Sequence, residues 1–324
     1  MLESTLAIIA GFALLVWGAD RFVMGASATA SNLGVSPLII GLTIVGFGTS
    51  APEMLVSAIA AASGNPDLGI GNAIGSNITN VGLVLGVTAL ISPLAVHSKT
   101  LKREFPILIL IILFTLALIV DGDMSRNDGM TLLIGLFLLM SWMVWTGLRE
   151  HHGDPDDPME SEYSDEIPSN LSTAVALTWL FVGLFILLGS SRMLVWGAVN
   201  IAHWLGVSDL IIGLTIVAIG TSLPELAASV MSAIRGEHDI AIGNVLGSNM
   251  FNLLAVLGLP GVIAPTAISN EILFRDYALM ILLTLLLFIM AYGFRGPGRI
   301  NRIEGGILLL IYSGYLGFLY LSHQ

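Results

Sequence analysis

Displaced by 172 residues, the segment Leu38–Gly86 overlies Leu210–Gly258 without a gap, and 27 of the 49 paired positions are identical. The match continues outward: Leu33-Gly34-Val35-Ser36 recurs as Leu205-Gly206-Val207-Ser208, Pro93 pairs with Pro265, and Arg103 with Arg275. Apolar composition alone produces chance matches of Leu, Ile and Val. It does not align Thr, Ser, Pro, Glu, Asn and Gly in register, so the chain reads as two copies of one unit.

What kind of unit follows from hydropathy. Hydrophobic residues make up 55% of the chain and charged residues 11%, with a mean hydropathy of +0.89. Apolar runs near twenty residues recur throughout, the length that a bilayer core demands of a helix. They lack the alternation of an outer-membrane barrel, so strands are not expected. The expected fold is an all-α polytopic membrane protein with ten spans: 4–24, 37–63, 70–91, 105–121, 129–147, 172–198, 209–234, 242–263, 277–294 and 305–321. The first run could pass for a signal peptide, but MLEST carries no positive residue and no clean A-x-A site follows, so it is read as a span. With no cysteine in the chain, disulfides and thiolate chemistry are excluded.

Between the two sets of five spans lies a polar stretch, 148–171. It contains Glu150, Asp154, Asp156, Asp157, Glu160, Glu162, Asp165 and Glu166, with Pro155, Pro158 and Pro168. Most of the net charge of −11 comes from here, and the stretch reads as a solvated linker between a first half, 1–147, and a second, 172–324. Alternating the loops across the membrane puts Arg21, Lys99, Lys102, Arg103, Arg149, Arg235, Arg295, Arg299 and Arg302 on one side, and only Arg126 and Arg275 on the other. Positive-inside bias then places both termini outside the cytoplasm and the acidic linker inside it. Five spans is an odd number, so the second copy must enter from the opposite face. That is an inverted repeat, the common plan of secondary transporters.

Glu53 and Glu225 are repeat equivalents, and each lies inside a long apolar run, in GTSAPE and GTSLPE. A charge at mid-bilayer costs about 2.5–3.5 kcal/mol on insertion scales, which makes a cation or proton the expected partner. Ser50-Ala51-Pro52-Glu53 and Ser222-Leu223-Pro224-Glu225 also fit capping boxes. A cap in mid-run implies that spans 2 and 7 are broken at membrane depth, and such breaks are tolerated where they line a cavity. The break is expected to free carbonyls around Gly46 and Ala218, beside the Thr49, Ser50, Thr221 and Ser222 hydroxyls. Carboxylates, carbonyls and hydroxyls suit Ca²⁺ or Na⁺.

The following spans carry GNAIGSNITN and GNVLGSNMFN, placing Asn72, Ser76 and Asn80, and likewise Asn244, Ser248 and Asn252, on one helical face. These stripes are expected to reach the site directly or through its ligands. Gly71, Gly75, Gly243 and Gly247 read as close-packing positions, and Asp67 and Asp239 as solvated or turn residues at span ends. The six histidines show no metal-ligand spacing, and HExxH, P-loop and GxSxG motifs are absent. No enzyme activity, cofactor, nucleic acid or protein partner is implied.

At these segments the chain resembles the bacterial branch of the sodium/calcium exchanger family, within the calcium/cation antiporter superfamily. The similarity is most specific at GTSAPE with GSNITN (alpha-1 segment, 38–86) and GTSLPE with GSNMFN (alpha-2 segment, 210–258). The resemblance implies that Glu53 and Glu225 bind Ca²⁺ and Na⁺, and that Thr49 and Thr221 give oxygens to calcium. Ser50, Ser222, Ser76, Ser248 and the Gly46 and Ala218 carbonyls would complete sodium positions, with Asn80 at the centre. Some relatives carry Asp where this chain has Asn252. Among animal relatives Asn there goes with independence from potassium. The implied activity is Ca²⁺/Na⁺ antiport in a bacterial or archaeal inner membrane, with the first and sixth spans sliding against the rest. A Ca²⁺/H⁺ antiporter on the same glutamates, or a cation channel, stays open at this point.

Overall fold

The structure, a computed structural model, describes residues 1–34, 40, 46–96, 99–150, 171–292 and 298–322. Residues 151–170 of the acidic linker 148–171, and the approach to the first glutamate, 41–45, lie outside the described residues.

The two longest helices, α1 (Leu2–Asn32) and α7 (Thr173–Leu205), pack side by side. Glycine explains how closely. A methyl group at Gly11 would meet Leu194, one at Gly18 would meet Ile186 and Leu187, and one at Gly25 would strike the Leu180 and Ala176 backbone. From the other side, Gly183 faces Phe22 and Gly197 faces Ser4. Contacts run in opposite chain directions, so the pair is antiparallel, and Gly11/Gly183 and Gly25/Gly197 are repeat equivalents. Removing side chains at seven-residue spacing lets membrane helices approach backbone to backbone. At 31 and 33 residues these helices are about 46–50 Å long. They exceed the ~30 Å hydrocarbon core and outrun the expected spans 4–24 and 172–198.

In the first half α2 (Gly46–Thr49), α3 (Ala51–Ala62) and α4 (Pro66–Ile91) follow. Then come β1 (Leu94–Val96), α5 (Lys99–Ile119), β2 (Asp123–Met124) and α6 (Arg126–Glu150). The second half repeats the order: α8 (Asp209–Thr221), α9 (Leu223–Arg235), α10 (His238–Ile263), β3 (Thr266–Ala267), α11 (Ile272–Ala291), β4 (Gly298–Ile300) and α12 (Arg302–Leu321). Helices α4 and α10 correspond residue for residue at both ends, and they form the interior. Their apolar windows are 78% and 94% buried, against 22–44% for the other long apolar helices.

Seven described helices are long and apolar enough to cross a bilayer, and α8 with α9 makes an eighth as a pair bent by 40°. The expected fourth span coincides with α5, whereas part of the second, 37–63, lies outside the described residues. The expectation of no strands needs correction. Two short antiparallel ribbons, β1·β4 and β2·β3, link the helices, and each joins a strand of one half to a strand of the other. Pro93 and Pro265 stand just after α4 and α10, in connections too extended to stay helical, and ribbon pairing satisfies their backbone groups.

The apolar core falls into two clusters. One joins α4–α6 with α10–α12. The other joins α1 and α7 with α3, the start of α4 and one face of α8. The glutamate helices run along the boundary between them.

Candidate functional site

Glu53 and Glu225 stand in the first turns of α3 and α9, and both side chains are fully buried. Each helix starts after a serine, Ser50 or Ser222, with near-helical backbone angles (φ −84°, ψ −2° and φ −81°, ψ 5°). The capping boxes do not form: neither serine hydroxyl caps its helix. Near-helical angles at Ser50 and Ser222 depart from the extended geometry of a capping residue, and Ser50 Oγ is taken up by Ser248 on α10 instead.

Backbone hydrogen bonds run across both serines, and between α8 and α9 the chain bends by 40°. Met54 N–H donates to the Ser50 carbonyl at 3.1 Å, Leu226 N–H to Ser222 at 3.0 Å, and Ser222 N–H to Ala218 at 3.1 Å. Pro52 and Pro224 have no N–H to give the carbonyls of Gly48 and Gly220, four residues back, and in the second half this deficit sits at the bend. The Gly220 carbonyl is not left free, since it accepts a backbone N–H at the end of α8. The Gly46 and Ala218 carbonyls, expected to be free, each accept an internal bond, from Thr49 Oγ1 at 3.2 Å and from Ser222 N–H. Each carbonyl oxygen has a second lone pair.

Hydrogen bonds between the halves bring the expected residues together. Thr49 Oγ1 lies 3.3 Å from Asn244 Oδ1, and its equivalent Thr221 Oγ1 lies 3.1 Å from Asn72 Oδ1. Ser50 Oγ meets Ser248 Oγ at 3.0 Å, Ser76 Oγ meets Thr221 Oγ1 at 3.5 Å, and Asn80 Nδ2 donates to Ser248 Oγ at 3.3 Å. Ser248 Oγ donates to Glu225 Oε1 at 3.0 Å. Ser222 and Asn252, the repeat equivalents of Ser50 and Asn80, are buried, but neither side chain has a partner among the described residues.

That leaves buried oxygens without donors: both carboxylate oxygens of Glu53, Glu225 Oε2, Asn80 Oδ1, Asn252 Oδ1 and Ser222 Oγ. Unpartnered buried carboxylates are costly, and a cation satisfies them where further apolar packing does not. The described residues bring together no group of three or more His, Cys, Asp or Glu side chains, so the site's charge rests on two carboxylates. Hard oxygen donors of this kind suit sodium or calcium, not zinc or copper.

The structure adds features that sequence spacing missed. Both asparagine stripes end in π-helical turns, Asn80–Leu85 and Asn252–Val256, where an extra residue per turn re-aims the side chains. Asn249 joins the site by accepting from Asn80 Nδ2 at 3.1 Å. Its presence in both GSN motifs was the available signal. Among the glycines, Gly71 and Gly75 meet α8 closely, but a methyl group at Gly247 would meet nothing within 4 Å among the described residues. Asp67 is exposed as expected, whereas Asp239 is fully buried in the first turn of α10, where helix-end N–H groups favour a carboxylate.

Comparison with known proteins places this geometry in context. The profile of the family described as "Sodium/calcium exchanger protein" matches residues 3–149 and 175–321. The "Putative antiporter CaxA" of Alkalimonas amylolytica is 51% identical over 99% of this chain and 100% of its own. "Sodium/calcium exchanger MaX1" of Methanosarcina acetivorans is 33% identical over 97% and 98%. A solved structure of the sodium-calcium exchanger NCX_Mj, soaked with 10 mM Na⁺ and zero Ca²⁺, superimposes with a TM-score of 0.69. It is 33% identical and covers 98% of both chains.

Proposed function

The chain belongs to the sodium/calcium exchanger protein family, and on that premise we propose that it is a secondary active antiporter exchanging Ca²⁺ for Na⁺ at a midplane site built on Glu53 and Glu225. The observation that carries this reading is the pair of repeat-related glutamates, fully buried, with three of four carboxylate oxygens unpartnered among the described residues. Thr49, Thr221, Ser50, Ser222, Ser76, Ser248, Asn80, Asn252 and the Gly46 and Ala218 carbonyls complete the set of ligands and their supports.

Coupling follows from charge. One Ca²⁺ neutralises both glutamates, and so does a set of Na⁺ ions. An empty site leaves two like charges buried without partners. Loaded protein therefore crosses between inward-open and outward-open states readily and empty protein slowly, which makes exchange obligatory. The glycine-lined contact between α1 and α7, and the separate core cluster to which that pair belongs, support movement of this pair against the rest.

In this reading the chain has ten spans in two inverted five-span halves, 1–147 and 172–324, with spans 2 and 7 bent at Ser50 and Ser222. The 148–171 linker is cytoplasmic, the termini lie outside, and the protein resides in a prokaryotic inner membrane. The test is calcium uptake into proteoliposomes with sodium and proton gradients imposed in turn. Uptake driven by outward sodium alone is the expected result. Uptake driven by protons alone would replace sodium by H⁺ as counter-ion, and uptake independent of either would indicate a channel.

A further inference from the structure

We propose that Asn72 and Asn244 are positioning residues that register each half's acidic helix against the other half's threonine, and that Asn72 is not an ion ligand. The inference rests on the two-glutamate site and concerns how that site is held.

Asn72 has no bonding capacity left for an ion. Its Nδ2 donates to the Glu53 backbone carbonyl at 3.2 Å and to Ser57 Oγ at 3.1 Å. Its Oδ1 accepts from Thr221 Oγ1 at 3.1 Å and from Ser76 Oγ at 3.4 Å. A side-chain amide offers two N–H donors and two acceptor lone pairs, and all four are engaged. The amide nitrogen thus grips α3, which carries its own half's glutamate, while the amide oxygen grips the bend of the other half.

Two of these four bonds have a mirror image in the other half. Asn244 Nδ2 donates to Ser229 Oγ at 3.4 Å, and its Oδ1 lies 3.3 Å from Thr49 Oγ1. The serines anchor the clamp in both halves: Ser57 Oγ donates to the Gly69 carbonyl and Ser229 Oγ to the Ala241 carbonyl, each at 3.2 Å. An asparagine–serine bond within each half and an asparagine–threonine bond between halves, present in both copies, are more than chance packing of polar side chains.

The threonine end is a choice between its own helix and the opposite asparagine, with the Ala218 carbonyl at 3.4 Å and Ser76 Oγ at 3.5 Å also in reach of Thr221. Thr221 Oγ1 is 3.0 Å from the Val217 carbonyl of its own helix and 3.1 Å from Asn72 across the interface. Thr49 has the same choice between Gly46 and Asn244. A hydroxyl has one proton. Given to the opposite asparagine, that proton fixes the hydroxyl when the halves are in register. When they separate, it falls back to its own helix and the lone pairs turn. Each asparagine therefore makes one half's donor set depend on the position of the other half.

Double-mutant cycles on calcium affinity test this, using purified protein and calorimetric titration, with thermal unfolding in calcium-free detergent as the folding check. Asn72→Ala and Thr221→Ala should each weaken binding about five- to tenfold, the scale of one net hydrogen bond. Together they should weaken it by clearly less than the product of the two, because they share one bond. Asn72→Ala with Thr49→Ala should multiply, since Thr49 is paired to Asn244. A purely structural role would make both double variants behave alike, and multiplication in the Asn72/Thr221 pair overturns the proposal. If Asn72→Ala does not fold, the mirror set (Asn244→Ala with Thr49→Ala against Asn244→Ala with Thr221→Ala) carries the same test. Failure of the underlying site is seen separately, as identical calcium titrations of wild type and Glu53→Gln, and in that case both readings fall.

Discussion

Ser50 Oγ and Ser248 Oγ lie 3.0 Å apart across the interface between the halves, and Ser248 gives its proton to Glu225 Oε1 at 3.0 Å. With that proton committed, Ser50 must be the donor to Ser248, and the two hydroxyls form a directed chain ending on the carboxylate. Ser76, the repeat equivalent of Ser248, is bonded to Asn72 and Thr221 and does not reach a glutamate among the described bonds. Ser248→Ala removes a charge-assisted bond, worth about 1.5–3 kcal/mol, and also the acceptor for Asn80. Initial-rate calcium uptake should show an apparent KM raised about tenfold or more for Ser248→Ala, against a few-fold for Ser76→Ala. Equal effects of the two would contradict the directed chain.

Glu53 has no donor to either carboxylate oxygen among the described residues, so on the proposed reading a bound cation balances its charge. Glu53→Gln should abolish exchange while the protein folds and inserts. Calcium at a hundred times its Kd stabilises a folded protein by about 2.7 kcal/mol. Wild type should show that rise in unfolding temperature on calcium addition, and Glu53→Gln should not. A calcium-dependent shift retained in the variant would remove Glu53 from the site.

Repeat-equivalent glycines should respond in opposite ways. A methyl group at Gly75 would come within 2.7 Å of Leu214 Cα and its carbonyl oxygen, backbone that cannot step aside. Gly75→Ala should cost about 1–3 kcal/mol by overpacking. At Gly247 the same methyl group meets nothing within 4 Å among the described residues. Gly247→Ala should be neutral or gain up to about 1 kcal/mol from helix propensity. Unfolding temperatures of the two variants in one detergent check the contrast.

The internal repeat explains why so much was legible. Matching α4 to α10 in sequence fixed two interior helices that the structure gives the same bounds, and the glutamates were conspicuous because a carboxylate in an apolar run has few harmless explanations. The misreadings have a physical source. A serine three residues before a glutamate fits a cap, but its hydroxyl goes to whichever acceptor lies nearer, and for Ser50 that acceptor is on another helix. Asymmetry was hidden for the same reason: Asn80 and Asn252 match in the repeat, yet Asn80 bonds Ser248 and Asn249 while neither polar atom of Asn252 has a partner among the described residues. Two equal sequences held in one conformation need not share environments. The ribbons were missed because strands of two or three residues are set by tertiary pairing, not by propensity.

Two tyrosines one turn apart on α12 separate site support from scaffold support. Tyr312 Oη lies 3.2 Å from Thr79 Oγ1, and its ring covers Gly82 within the π-helical turn that begins at Asn80. Tyr315 donates instead to Asp276 Oδ1 at 2.8 Å, a buried carboxylate that is also paired with Arg275 on α11. Substitution by Phe keeps either ring and removes only the hydroxyl, so each variant loses one bond. Tyr312→Phe loosens the turn that aims Asn80, and should raise the apparent KM for calcium about two- to fivefold with little loss of stability. Tyr315→Phe weakens a buried network that shares no bond with Glu53 or Glu225 among the described residues. It should lower stability by about 1–3 kcal/mol, the cost of an acceptor losing its donor, with KM unchanged. Uptake kinetics and thermal unfolding on both variants provide the check, and a KM effect that tracks Tyr315 instead of Tyr312 would disconnect the π-helical turn from ion binding.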